Sequence, residues 1–456
     1  MPFRIPWRNF WRIAAGVLGS LLIVGAWPRA QAQHELDAPL GSFERQRTEI
    51  MFSQIRAELK SSYYDPTFHG IDMDARFHIY QERLQKAPTL GEAYRTVAAY
   101  LSGLQDSHTY FYPPPRNYRI AYGYRMQMVG DKCLITVVRP ETDAADKVHT
   151  GDEILKLGTY TVNRDDLDSL EYYLNLLAPQ PATDLTLRDP SGNIRKVQIL
   201  ASYREGRKVR LMTDPEIWKS TLRREAELHL LRNRWVEQGD VLIWKLPIFI
   251  SDEHQVGYMM GGGLDHMVAL GRKHKVLILD LRGNPGGELP ALQELLGGLF
   301  DHDVKIAKAV MRKSEKEQVA KTRGRDAFTG QLIVLVDSRT ASAAELLARV
   351  VQLEHRGVIV GDRTSGSVME SLYHPLSQGG AVLLLYGVSI TMANLVMTDG
   401  KSLEKVGVTP DVEVLPTAED LAAGRDPVLA KAAELAGIKL APAAAGKMFP
   451  FEWAPF

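Results

Sequence analysis

The chain has 456 residues, and its 55 Lys and Arg balance 55 Asp and Glu, so the formal charge is zero. That length accommodates about two to four domains at the usual ~100–200 residues each, and the balanced charge without a basic run argues against a nucleic-acid partner. The lone Cys133 excludes an internal disulfide or a thiolate metal site, and with no HExxH pair or acid cluster neither metal nor cofactor is expected.

Arg4, Arg8 and Arg12 precede the uncharged run 13–27, and Ala30 and Ala32 stand at the spacing of an A-x-A cleavage site. Residues 1–32 therefore read as a signal peptide, which places the protein in the periplasm or outside the cell. The run is short against the ~20 residues of a membrane-spanning helix; an uncleaved signal that anchors the chain to a membrane is the alternative. From 33 to 113 a helical domain is predicted: Ile50, Phe52, Ile55 and Leu59, then Ala93, Val97 and Leu101, recur at helical spacing, with Asp65 and Pro66 as a break. It ends at LQDSHTYFYPPP, where three prolines stop regular structure.

Residues 114–203 change to short strands at 133–138, 153–157, 184–187 and 196–200, with a helical stretch at 167–177. A strand, a short helix carrying Ala144 and Ala145, and the Gly151-Asp152 turn together resemble a PDZ domain, which takes up an extended chain end as an added strand. An unrelated β-rich insert is the alternative. Residues 204–240 are charged and helical in character, a connector or lid, and Gly261 to Gly263 suggest a flexible loop beside the substrate groove. From 241 to 416, strands at 241–244, 276–281, 304–311, 332–336, 358–361 and 381–386 alternate with helices at 289–300 and 342–354. Such alternation predicts a largely parallel sheet between helices. Residues 417–456 form a C-terminal helix and tail, with the Ala/Pro-rich stretch 441–446 loosely held.

Within that core, the apolar strand 333–336 breaks into a small-residue turn that delivers Ser342 to the start of a helix with the stripe Leu346, Leu347 and Val350. There a hydroxyl can project from the sheet edge, and the next amide, that of Ala343, can face an oxyanion. A plain N-cap serine fits the same local pattern.

Four segments occur in a telling order: DSHT at 106–109, LDLRGNPGG at 279–287, TASAAE at 340–345 and LEKVGVTPDVEV at 403–414. With YYDP at 63–66 and the PDZ-like insert, they resemble the carboxyl-terminal processing, or tail-specific, serine proteases, nearer to the tricorn core protease branch, over residues 43–430. The resemblance implies an α/β core of the ClpP/crotonase type with Ser342 as nucleophile. The commonest branch carries a lysine where this chain has Ser367 in GDRTSGSVMES, and Arg363 cannot replace it because a guanidinium stays protonated. The tricorn-like branch uses a histidine preceded by a serine, with a late glutamate; His108, Ser107 and Glu404 match these. His108 would then be the base, with Glu404 acting through Ser107 to hold its tautomer. A surface histidine, a turn-capping serine and a solvated carboxylate are the alternatives for the three. An N–H of Gly286 or Gly287 would join that of Ala343 as oxyanion hole. The implied protein is an exported serine endopeptidase acting on unfolded or C-terminal peptide segments. A non-catalytic binding protein on the same scaffold and an esterase remain as alternatives.

Overall fold

The computed structural model describes residues 39–116, 118–205, 231–251, 262–379 and 383–454. The expected signal peptide, most of the expected connector and Gly261 lie outside the described residues.

A six-stranded sheet organises the core, in the order Arg234–Gln238, Val241–Lys245, Val276–Asp280, Gln331–Val336, Gly357–Gly361, Val412–Glu413. All neighbours are parallel except the first pair. Parallel strands need cover on both faces, and successive side chains supply it by alternating. Leu242, Leu277, Leu279 and Val334 meet the helices Leu264–Gly271, Leu289–Leu299 and Ala343–Leu353. Ile243, Ile278, Ile333 and Leu335 meet Val428, Leu429 and Ala432 of the helix Pro427–Leu435.

Three expectations need correction. Neither Val304–Met311 nor the strand expected at 381–386, of which 381–382 lie outside the described residues, joins the parallel sheet; Val304–Met311 pairs antiparallel with Glu315–Ala320 and with Leu384–Met397 in a second sheet completed by Tyr110–Tyr112 and Met369–Gln378. Its exposed Lys305 and Lys308 explain why: such a strand can bury only part of its surface. Nor does residues 231–240 of the expected helical connector form a helix: Arg234–Gln238 is a strand, turned by Gly239-Asp240 straight into Val241–Lys245. The stretch 441–446 is not loose, because Pro442–Ala445 is a helical turn with Ala445 only 2% exposed.

The N-terminal helices Ser42–Ser62, Met73–Gln85 and Leu90–Ser102 pack through Phe52, Ile55, Leu59, Phe77, Val97 and Tyr100, and dock on Val388 and Ile390 of the second sheet. Asp72 and Thr89 cap the latter two by accepting from backbone N–H groups of their first turns. Between this module and the core, strands Tyr118–Ala121 and Ser202–Glu205 pair as a neck. Beyond the neck, Tyr124–Val129, Lys132–Val138, Glu153–Leu157, Ala182–Arg188 and Ile194–Leu200 form a separate sheet around Ile135, Ile154, Leu187 and Ile199. Among the described residues no helix is long and apolar enough to cross a membrane.

Candidate active site

Ser342 stands between the strand Gln331–Val336 and the helix Ala343–Leu353, with φ 55° and ψ −120°. That backbone conformation is costly for a residue with a side chain, on the order of 1–3 kcal/mol, and persists only where its surroundings enforce it. Several bonds do so. Ala341 N–H donates to Asn284 O (2.9 Å), and Ser342 N–H donates to Ser367 O (2.9 Å) and to Glu345 Oε2 (3.0 Å). The same fully buried carboxylate accepts from Thr364 Oγ1 (2.5 Å), Gly366 N (2.7 Å) and Ser367 N (2.9 Å). Burial pushes the Glu345 carboxyl up to about 7, and these hydrogen bonds oppose the rise.

The glycine loop lies directly on this turn. A Cβ on Gly286 (φ 95°) would come within 2.6 Å of Ser342 Cβ, and one on Gly287 (φ 139°) within 2.1 Å of Phe249 O. Only glycine allows both the backbone angle and the approach. Gly286 N–H is committed to Asn284 Oδ1 at 2.8 Å, which removes it from the oxyanion-hole candidates. Among the described residues the N–H groups of Gly287 and Ala343 have no hydrogen-bond partner, and both residues line the same cavity as Ser342.

A hydrogen-bonded series reaches the same cavity from the N-terminal helical module. Ser107 Oγ donates to Glu404 Oε2 (2.8 Å) and lies 2.7 Å from His108 Nδ1, while Ser107 N–H donates to Glu404 Oε1 (2.8 Å). The proton count fixes the imidazole. An ionised carboxylate only accepts, so Ser107 spends its hydroxyl proton on Glu404 and must accept from Nδ1–H, which leaves Nε2 as the basic nitrogen. Val368 N–H also donates to Glu404 Oε2 (2.9 Å). Asp106 Oδ1 shapes the turn by accepting from His108 N (3.0 Å), Thr109 N (2.6 Å) and Thr391 Oγ1 (2.9 Å). Burial drives the His108 pKa down to about 4, against the opposing charge of Asp106. Burial also raises that of Glu404, opposed by the bonds from Val368 and Ser107.

Ser107, His108, Gly286, Gly287, Ser342 and Ala343 all line one cavity of about 540 Å³, with Glu404 behind Ser107. No direct hydrogen bond joins Ser342 to His108; they share the cavity wall. Ile248, Phe249, Leu292 and Leu346 give it an apolar side, and among the described residues none of those lining it is a lysine or arginine. Ser367 is hydrogen-bonded to Ser365 (2.9 Å). Among the described residues no group of His, Cys, Asp and Glu could hold a metal ion. Sequence reasoning missed Glu345, Asn284 and Asp106. For Glu345 a signal existed: S-x-x-E opening an apolar helix is the signature of a capping box.

Residues 256–414 match Peptidase family S41. The chain is 34% identical over 155 residues to the chloroplastic C-terminal processing peptidase of Tetradesmus obliquus, covering 31% of this chain and 30% of that protein. It is 25% identical over 381 residues to carboxyl-terminal-processing peptidase 3, chloroplastic, of Arabidopsis thaliana, covering 78% and 66%. The matches thus span about a third to two thirds of the length of these curated relatives. In fold the chain resembles the crystal structure of mature CPAF, with a TM-score of 0.61 at 17% identity over 84% of this chain and 95% of that one. The chain therefore has a mixed α/β fold like that of mature CPAF, and its residues 256–414 match the serine-type Peptidase family S41.

Proposed function

We propose that the protein is an exported serine endopeptidase that cuts unfolded or C-terminal peptide segments through an acyl-enzyme on Ser342. The observation that carries this reading is the hydrogen-bonded series Glu404, Ser107, His108, which ends in the cavity that Ser342 lines. The names of the similar chloroplastic peptidases support the substrate class. A mechanism of the Ser/His/Ser/Glu type is supported by His108 in the cavity lining, its pKa lowered by burial, and by the lack of a lysine among the described lining residues.

In the proposed reaction Ser342 Oγ bonds to the scissile carbonyl carbon as His108 Nε2 takes its proton. The carbonyl π pair moves onto oxygen, where the N–H groups of Gly287 and Ala343 receive it. As the intermediate collapses, the C–N bond breaks and His108 returns the proton to the leaving amine. Water, deprotonated by the same nitrogen, then attacks the ester, and Ser342 recovers its proton. The insert at 114–203 acts as a PDZ-like domain that admits the substrate chain, and residues 1–32 direct export.

A fluorophosphonate probe tests the reading. Stoichiometric labelling of the wild type, lost in Ser342→Ala and slowed in His108→Ala, is expected, together with turnover of unfolded proteins in preference to small esters. Absence of labelling under native conditions would replace the enzyme by a peptide-binding protein, and equal turnover of small esters would replace the peptidase by an esterase.

A further inference from the structure

On the far side of the sheet, the segment 449–454 is held in a way that its aromatic composition alone does not require. In FPFEWA the rings of Phe449, Phe451 and Trp453 recur at every second position, as they must to share one face of an extended chain. Each ring lies beneath a guanidinium: Arg234 over Phe449 at 5.6 Å, Arg125 over Phe451 at 5.0 Å and Arg139 over Trp453 at 5.3 Å. Phe451 and Trp453 also meet edge to face, with centroids 4.8 Å apart. Between the rings, Glu452 takes both ends of the Arg232 fork, one of them at 2.9 Å, and lies 4.0 Å from Arg234. The backbone is read as well, since Arg234 donates to Pro450 O (2.6 Å) and Arg139 to Ala454 O (2.7 Å).

These four arginines come from two modules. Arg125 and Arg139 belong to the inserted sheet domain, whereas Arg232 and Arg234 belong to the edge of the central sheet. The segment therefore bridges them, and it walls a cavity of about 330 Å³ whose core side includes Asp337 and Arg339. Those two residues stand just before Ser342 in the chain and are themselves gripped by the insert. Arg339 forks Glu171 with two bonds of 2.7 Å, and Gln127 donates to Asp337 Oδ2 at 2.8 Å.

We propose that the cleft formed by Arg125, Arg139, Arg232 and Arg234 is a recognition site for an extended segment with aromatic residues at alternate positions and a carboxylate between them. Residues 449–454 occupy it as a strap that fixes the insert domain against the central sheet. The chemistry is that of guanidinium over ring and guanidinium fork on carboxylate, which discriminates by alternation and charge rather than by bulk hydrophobicity. The site is separate from the catalytic cavity, and its test does not depend on hydrolysis.

The experiment is hydrogen exchange on the full chain and two perturbed forms. In Phe451→Ser/Trp453→Ser, and independently in Arg232→Glu, amides of the strands 124–129 and 132–138 exchange about tenfold faster, while those of the helix 42–62 keep their wild-type rate as an internal check on global folding. The charge swap Arg232→Glu/Glu452→Arg restores protection. An added peptide of sequence KMFPFEWA slows exchange again in the serine double variant, saturably. Unchanged exchange at 124–138 in both perturbed forms, or no response to the peptide, overturns the proposal. Should the serine double variant unfold as a whole, the swap against its single variant still decides, because restored protection requires the Arg232–Glu452 pairing itself.

Discussion

Replacing Glu404 by glutamine tests the relay with almost no change of shape. The carboxylate accepts from Ser107 N–H, Ser107 Oγ and Val368 N–H, and an amide offers one acceptor where the carboxylate offered two. Whichever way the amide turns, its NH₂ faces a backbone N–H, a mismatch that costs about 1–3 kcal/mol of stability. The catalytic effect has a different origin. Hydrogen bonds of 2.7 and 2.8 Å place the carboxylate within roughly 5.5 Å of the His108 ring. At an effective dielectric of ~20, unit charges at that separation attract by about 3 kcal/mol. This attraction exists only once the imidazole is protonated, so it lowers the transition state and leaves the ground state alone. Its removal corresponds to about a hundredfold loss in kcat. The assay is the second-order rate of fluorophosphonate labelling and single-turnover cleavage of an unfolded protein, both scaled to the folded fraction. Glu404→Gln should lose about two orders of magnitude in rate with KM little changed. Retention of more than about a third of the wild-type rate would refute the relay, because a charge at that distance cannot be so weakly felt.

The pH profile follows from the lowered His108 pKa. In the proposed mechanism the neutral ring is the active form, so kcat/KM should fall on the acid side near pH 4 rather than near the ordinary histidine value of about 6.5. The same depression ties stability to pH: the folded protein binds the proton less well than the unfolded chain, so stability is fully present above about 6.5 and is lost as pH falls toward 4. A His108→Gln variant should show a shallower decline of melting temperature over that window, and an equal slope would refute the assignment. Gly287→Ala places a Cβ 2.1 Å from Phe249 O at φ 139°, so it should abolish labelling and lower the melting temperature. Ser342→Gly should melt above Ser342→Ala, by about 1 kcal/mol or more in unfolding free energy, since glycine relieves the positive φ; equal stabilities would show that the turn stores no strain.

The strands and helices that frame the site were legible because each carries its own period. VLIL at 276–279 and LIVLV at 332–336 are apolar without interruption, and the helix after Ser342 has a clear stripe. Less legible was anything fixed by partners distant in the chain. The strand Leu384–Met397 pairs with three others, so its polar Ser389 and Thr391 face neighbours that sequence spacing cannot supply. The motifs named the residues that the fold brings to one cavity, Ser107, His108, Gly286, Gly287, Ser342 and Ala343, with Glu404 behind Ser107. Which glycine amide is free was not, because that depends on Asn284 turning its side chain back onto Gly286. The same distinction accounts for how the site is built. A lysine from the loop 364–367 would share one hydrogen-bonded unit with Ser342, whose N–H already bonds Ser367 O and, with that loop, Glu345. A base at His108 instead demands that the helical module, the second sheet and the loop at Glu404 agree in position. Asp106 bonded to Thr391, Thr391 N–H to Thr109 Oγ1 (3.1 Å), and Val368 N–H to Glu404 are the contacts that enforce this agreement. They lie outside the reacting groups, and substitutions among them should reduce activity through the position of the imidazole rather than through its chemistry.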